Sequence, residues 1–169
     1  MKRIINIAPS EFIGVKGIEY FNFEEDFVED NIRCIPMVVR FKMDAVGVKL
    51  KLSEWSKFKP KERVKLALMP IDMASELENY HQYLTSLISS YTGNTATNME
   101  VDRQPAWGNI QQIPDLLIEK ALEIQLELST EQWQQLTDIQ RFALLKLCRP
   151  GHENKNFSKA VIEFGLMNN

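Results

Sequence analysis

The sequence predicts an all-α fold, a single compact helical domain of roughly seven to nine helices. The clearest observation is an apolar stripe between Asp72 and Tyr91, where apolar or aromatic residues recur in steps of three and four, the spacing of one helix face. A second observation is that prolines and glycines stand where other periodic segments should start and end. The third is length, because 169 residues with 44% apolar and 25% charged side chains are typical of one globular domain.

In chain order, we expect a variable N-terminal lead over residues 1–20. The sequence does not decide whether this lead forms short extended pieces or a loop. The helical domain is expected over residues 21–169. Its helices share an apolar period of three to four residues, with approximate bounds Glu24–Ile32, Pro36–Val46, Ser53–Phe58, Pro60–Met69, Asp72–Tyr91, Pro114–Leu128, Thr130–Leu136, Asp138–Leu147 and Ser158–Phe164. Asp72 is the expected cap at the start of the longest helix. Gly47, Gly93 and Gly165 are expected to end helices in a left-handed conformation.

Residues 93–112 lack this periodicity and are rich in Gly, Asn, Thr and Pro, so we expect a long loop. Loops of this length in compact domains are usually functional or mobile. Trp107 either anchors the loop to the body of the protein or stacks on a ligand, and anchoring is the favoured interpretation.

One internal similarity relates residues 52–66 to residues 128–144. Both contain the pattern Trp-x-x-(Phe/Leu)-x-x-x-x-Arg-x-x-Leu, which aligns Trp55 and Arg63 with Trp133 and Arg141. Each copy predicts a short helix, a tight turn and a longer helix, with Ser53 and Ser129 as N-caps. Two copies are too few for a solenoid, so we interpret the similarity as structural.

Charge is distributed unevenly along the chain. The net charge is −3, yet residues 40–65 carry nine Lys and Arg against three acidic residues, whereas residues 66–139 carry two against eleven. These stretches are either solvated helix faces or include a basic patch for an anionic partner, such as a phosphate-bearing cofactor or an acidic protein. Nucleic acid is not expected, because the pI is about 5.5 and few aromatic residues interleave with the basic ones.

The apolar runs and the cysteine content of the sequence indicate where in the cell the protein is expected. No apolar run approaches the length of a membrane-spanning helix, and the first residues lack the apolar core of a secretion signal. Two cysteines are too few for a disulfide scaffold and suit a reducing compartment. We therefore expect a cytoplasmic protein with no membrane partner.

The sequence contains few candidates for metal ligands or catalytic nucleophiles. Cys148 and His152 lie four apart, with Cys34 as a distant third group, so a metal site or a nucleophilic thiol is one interpretation. Zinc sites normally show four ligands, and lone cysteines among apolar residues are usually buried and inert. No catalytic constellation and no phosphate-binding glycine loop is visible. We expect a protein that is not an enzyme.

Two polar segments supply the candidate binding residues. The first surrounds Pro36 and contains Arg33, Arg40 and Lys42; the second is the turn between the last two predicted helices and contains Arg149, His152 and Asn154. Both could contact an anion or a partner protein. The structural alternatives are that Arg40 pairs with Asp44 four residues later, and that the turn is polar only because turns commonly are.

Two separate runs in the sequence resemble the nitrate-reductase-associated protein family. The first is Phe23-Glu24-Glu25-Asp26-Phe27-Val28, followed by Arg33-Cys34-Ile35-Pro36-Met37-Val38-Val39-Arg40-Phe41-Lys42. The second extends from Gln140-Arg141-Phe142-Ala143-Leu144 through Arg149-Pro150-Gly151-His152 to Phe164-Gly165-Leu166. The resemblance spans about residues 21–166.

The resemblance implies a small helical accessory protein, encoded beside genes for assimilatory nitrate reductase and molybdopterin synthesis. It implies that the protein helps nitrate reductase become or stay active, with the apoenzyme or a cofactor-delivery protein as partner. It also implies that any cofactor contact is transient, with molybdopterin guanine dinucleotide, and it supplies no catalytic residues. The alternative function is a small metal- or anionic-ligand-binding protein, or an enzyme, that uses Cys34, Cys148 and His152.

Overall fold

A computed structural model of the protein describes residues 11–12, 15–26, 28–29, 32–150 and 156–168. The described residues form eight α-helices and four two-residue strands, which confirms the mostly helical fold class. The chain divides into two compact units, residues 1–102 and residues 103–169. The prediction of one domain over residues 21–169, behind a lead over residues 1–20, stays a prediction. No described helix is both long enough and apolar enough to cross a bilayer.

The first unit is built around helices α1 (Met37–Val46), α2 (Leu52–Trp55), α3 (Pro60–Leu68) and α4 (Ala74–Thr92). Helix α1 packs against α3 and α4, and α2 packs against α4. Six side chains of this unit's core are completely buried: Met37, Val39, Leu66, Tyr80, Leu84 and Ile88. Strands β1 (Val28–Glu29) and β2 (Ile32–Arg33) form an antiparallel pair, as do β3 (Val48–Lys49) and β4 (Thr97–Asn98).

The helix predicted over Glu24–Ile32 is wrong. A 3-10 helix covers Asn22–Asp26, and strands β1 and β2 follow it. The physical reason is the role of Glu24, whose side chain is only 2% exposed. Its Oε1 accepts from the Met37 amide at 2.6 Å, and its Oε2 accepts from the Phe21 amide at 2.9 Å. The carboxylate thus satisfies a free amide at the start of α1, a contact across 13 residues that local sequence does not reveal.

Two predicted N-caps of the first unit are also wrong. Helix α4 is capped by Glu76, whose Oε2 accepts from the amides of Asp72 at 2.8 Å and Met73 at 3.0 Å, and Asp72 is not the cap. Helix α2 begins one residue before Ser53, and Glu54 accepts from the Lys51 amide at 2.8 Å. In both cases a glutamate in the first turn accepts from the amide of the N-cap residue, and the N-cap position itself holds no capping hydroxyl or aspartate.

The second unit contains helices α5 (Asp115–Glu123), α6 (Thr130–Gln135), α7 (Asp138–Leu147) and α8 (Phe157–Glu163). Helix α7 packs against α5, α8 and a 3-10 helix over Ala106–Gly108. The helix predicted to run from Pro114 to Leu128 ends early, because Gln125 adopts a positive φ of 60°. The Leu126 amide then donates to the Ala121 carbonyl at 2.9 Å, which turns the buried Leu126 back onto the core.

The segment 93–112 contains no α-helix, as predicted, but it is not structureless. Gly93 ends α4 with a φ of 71°, and strand β4 then pairs with β3. The 3-10 helix that contains Trp107 packs against α7, and the Trp107 carbonyl accepts from Nε of Arg141 at 2.7 Å. This part of the segment is therefore held to the second unit through a backbone carbonyl of Trp107.

Candidate functional site

The structure describes four of the six candidate binding residues, three in the first unit and Arg149 in the second. Arg33 lies in β2, and Arg40 lies half-buried on α1 with Nε donating to the Ile35 carbonyl at 2.8 Å. Lys42 is buried on α1, and Arg149 is exposed just after α7. The pairing of Arg40 with Asp44 and a binding role for the six residues stay predictions. His152 and Asn154 lie outside the described residues.

Lys42 stabilises the end of α3 from inside the first unit. Its ammonium group donates to the carbonyl oxygens of Ala67, at 2.7 Å, and Met69. These carbonyls belong to the last turn of α3, where helical carbonyls lack partners of their own and the helix dipole favours a cation. The Tyr80 hydroxyl donates to the neighbouring Leu66 carbonyl at 2.9 Å. Lys42 and Tyr80 together fix the backbone where α3 ends.

Burial changes the acidity of Lys42. Desolvation lowers the pKa of its ammonium group from the ordinary value of 10.5 to about 8, and the nearby negative charge of Asp72 offsets part of that effect. Lys42 therefore carries its charge at neutral pH and loses it in mildly alkaline solution.

Replacing Lys42 by methionine is expected to remove a gain in stability at alkaline pH. Between the folded pKa of about 8 and the ordinary value of 10.5, the unfolded state binds more protons than the folded state, so stability rises with pH. From about pH 7 to about pH 9.5 the wild type should gain about 2 kcal/mol of unfolding free energy over Lys42→Met. Urea unfolding of both proteins at both pH values measures this, and parallel pH profiles would contradict it.

The internal similarity predicted from sequence is confirmed as a shared structural device. In the first copy, the Arg63 guanidinium lies 5.4 Å from the centre of the Trp55 ring and donates to the carbonyls of Trp55 at 3.3 Å and Ser56 at 2.9 Å. In the second copy, the Arg141 guanidinium lies 5.7 Å from the centre of the Trp133 ring and donates to the Trp133 carbonyl at 3.5 Å. Each arginine of the longer helix thus caps the end of the preceding short helix.

The arginine of the second copy is more deeply buried than the arginine of the first. The Arg141 side chain is 5% exposed, whereas that of Arg63 is 22% exposed. Arg141 also bonds to the Leu136 carbonyl and the Asp138 carboxylate, and Arg63 pairs with Glu11 at 3.2 Å. Ser129 accepts from the Gln132 amide at 3.1 Å and is an N-cap as predicted. Both arginines are occupied by structural bonds.

The two cysteines are buried and form no disulfide, with Cys34 in the first unit and Cys148 in the second. Burial raises the pKa of the Cys148 thiol from 9.0 to about 12, the charge of Lys120 opposing this shift. The reactive and metal-binding form of cysteine is the thiolate, which this environment disfavours. Within the described ranges, no three His, Cys, Asp or Glu side chains cluster as a metal site would require.

Cys148 is expected to resist alkylation in the folded protein. A pKa of about 12 in place of 9.0 reduces the thiolate fraction near neutral pH about 1000-fold. Iodoacetamide labelling at about pH 8, localised to Cys148 by mass spectrometry, should be at least about 100-fold slower in buffer than in urea. Equal rates in the two conditions would show a reactive thiol and would favour the enzyme or metal interpretation.

Much of the exposed positive charge of the first unit belongs to lysines that were not selected as candidates from the sequence. Within the basic run, six lysines are exposed in the first unit: Lys49, Lys51, Lys57, Lys59, Lys61 and Lys65. Glu54 and Glu62, which lie between them, accept from the backbone amides of Lys51 at 2.8 Å and Lys59 at 2.7 Å. The excess of Lys and Arg in residues 40–65 includes these six lysines. The sequence gave no reason to distinguish them from the buried Lys42.

These features define a small, mostly helical protein with a lysine-rich exposed surface on its first unit and buried thiols. The chain belongs to the conserved nitrate reductase-associated protein family, whose model matches residues 20–164. The resemblance drawn from the two sequence runs is thereby confirmed. Comparison with curated proteins and with solved structures finds no match.

Proposed function

We propose that this protein is a non-enzymatic accessory protein that assists assimilatory nitrate reductase by binding to a protein. The family match carries the proposal, because it covers residues 20–164 and so includes most of both compact units. The link to nitrate reductase therefore concerns nearly the whole chain and not an appended segment.

The physical support comes from how the polar side chains are used. Glu24 and Lys42 in the first unit and Arg141 in the second are buried and bonded to backbone groups of their own unit. The Cys148 thiol is kept neutral by burial. Exposed positive charge is instead carried in part by six lysines of the first unit, which suits steering and docking of an anionic partner more than bond-making chemistry.

The step we propose is insertion of the molybdopterin guanine dinucleotide cofactor in the cytoplasm, with the apoenzyme or a cofactor-delivery protein as the partner. The cofactor is an anionic diphosphate, and lysines attract such groups as point charges. Arg40 and Arg149, with Arg33, His152 and Asn154, remain the candidate contacts, whereas Lys42 would act by fixing the end of α3.

The proposal is tested in a strain that lacks the gene. Nitrate reductase activity should fall while the amount of enzyme protein stays normal, and the molybdenum content of the purified enzyme should fall in proportion. Complementation with the wild-type gene is the control. Normal activity in the deletion strain would contradict the proposed function, and reduced activity with full molybdenum content would contradict the proposed step.

The polar turn after α7 can be examined in the same strain. Arg149→Ala combined with His152→Ala should abolish complementation, with the circular dichroism and thermal unfolding of the purified variant unchanged. Arg103→Ala combined with Gln104→Ala is the matched control, because it also replaces an arginine and a second polar residue, both of them exposed and in the same unit. Full complementation by the Arg149 and His152 variant would remove this turn from the candidate site.

A further inference from the structure

The exposed face of α3 combines two lysines with a leucine. Lys61, Lys65 and Leu68 stand at positions i, i+4 and i+7 and therefore lie in one row along the helix, about 10 Å long. All three are exposed, and Leu68 retains 42% of its accessible surface. The row is basic along most of its length and apolar at its C-terminal end.

The charges beside this row leave it positive. Glu62, the acidic residue of α3, accepts from the Lys59 amide at 2.7 Å and from the Tyr91 hydroxyl at 2.8 Å. Arg63 is turned toward the end of α2. The ammonium of Lys65 lies 4.1 Å from the centre of the Tyr83 ring, which holds this lysine against α4 while it stays exposed.

The turn that follows α3 extends the apolar end. Pro70 and Met73 are exposed, Met73 with 59% of its surface accessible. Large apolar side chains displayed together at a surface are typical of contact sites. Asp72 is an exposed acidic residue of this turn, and its charge acts on the Lys42 ammonium.

The backbone that displays these side chains is held from within. Lys42 bonds to the Ala67 and Met69 carbonyls, and the Tyr80 hydroxyl bonds to the Leu66 carbonyl at 2.9 Å. Glu76 secures the other side of the turn through the Met73 amide at 3.0 Å. Because the turn is ordered before any partner arrives, binding through it would lose little conformational entropy.

We propose that Lys61, Lys65, Leu68 and Met73 form the docking surface for an acidic patch on the nitrate reductase apoenzyme, with an apolar contact at its edge. This inference rests on the proposed function and names the surface that carries it. A protein fits better than free cofactor, because the lysines follow the outer face of a helix and end in apolar side chains. An apolar contact bordered by a polar rim is the usual anatomy of a protein interface.

Binding of the purified apoenzyme to the purified protein tests the surface. Lys61→Glu with Lys65→Glu should weaken binding at least about 10-fold, because like charges would then face each other. Lys16→Glu with Lys159→Glu is the matched control, since it makes the same change in net charge on exposed lysines outside residues 40–65. The control should change the affinity less than about 3-fold. Equal losses in both variants would show non-specific charge attraction and would overturn the proposal.

The apolar contact is tested separately. Leu68→Ser should weaken binding about 5- to 10-fold without changing its dependence on salt. Leu122→Ser on α5 is the control, because Leu122 is 56% exposed in the second unit. A larger loss with Leu122→Ser would overturn the assignment to α3.

The failure of this inference can be told apart from the failure of the proposed function. If the deletion strain loses nitrate reductase activity while the α3 variants bind and complement normally, the docking surface is wrong and the accessory function stands. If the deletion strain keeps full activity, the function itself fails. Retained binding of guanosine diphosphate with loss of apoenzyme binding in the α3 variants would support the docking surface over a cofactor site.

Discussion

Replacing Gly47 by alanine is expected to lower the free energy of unfolding by roughly 3 kcal/mol. Gly47 ends α1 with a φ of 70°, a conformation that costs an L-residue about 1–2 kcal/mol. An added Cβ would also lie 2.8 Å from the Met99 carbonyl oxygen and 2.9 Å from Cγ2 of Val101. Strand β4 would have to move away from β3, so hydrogen exchange at the Met99 amide, which donates to the Gly47 carbonyl at 2.9 Å, should speed up.

Gly93 provides the matched control. It ends α4 with nearly the same φ of 71°, but no atom lies within 4 Å of the position of an added Cβ. Gly93→Ala should therefore cost only the conformational part, about 1–2 kcal/mol. Urea unfolding of both variants measures the difference, and equal losses would show that the close approach of residues 99–101 to Gly47 is not limiting.

Replacing Arg141 by methionine is expected to cost about 3–5 kcal/mol of unfolding free energy. The side chain bonds to the carbonyls of Trp107 and Leu136, and methionine would leave these acceptors without their donor. A buried polar group without a partner costs about 1–3 kcal/mol. The Trp107 segment should also loosen, which an increase in proteolysis between residues 103 and 112 would detect.

Arg63→Met is the control for the same device in the first unit. Arg63 bonds to the Trp55 and Ser56 carbonyls and to Glu11, but its side chain is 22% exposed, so water can replace part of what it supplies. The expected loss is about 1–2 kcal/mol. A loss at Arg63 as large as that at Arg141 would contradict the argument from burial.

The helices that sequence located best are those whose signals are local. Helix α7 matches its predicted bounds, Asp138–Leu147, because Thr137 accepts from the Gln140 amide within one turn of a strong apolar period. Gly47 and Gly93 were predicted as helix ends because a positive φ is a property of the residue itself. The family was also recognisable from sequence, since its two runs keep their order along the chain.

The features that sequence did not reveal depend on contacts between residues that are distant in the chain. The predicted helix over Glu24–Ile32 failed because Glu24 bonds to an amide 13 residues away. Lys42 was selected as a binding residue alongside arginines, and that role stays a prediction; only the folded chain shows its ammonium bonded to a carbonyl 25 residues away. The lysine and leucine row on α3 had the helical spacing in sequence, but its exposure could not be known before α1 and α4 were placed against α3.

Helix positions and glycine ends follow from interactions within about four residues, and each paired Trp and Arg stand only eight residues apart, so the chain carries this information in its local order. Which charges are buried, which carbonyl each arginine caps and which face of α3 meets solvent depend on packing between elements. Arg141 shows the distinction, because the motif places it only eight residues after Trp133, whose ring it faces, while its bond to Trp107 spans 34 residues. Burial is a collective property of the packed elements, so tertiary structure alone separates the buried Lys42, which holds the fold, from the lysines that face solvent.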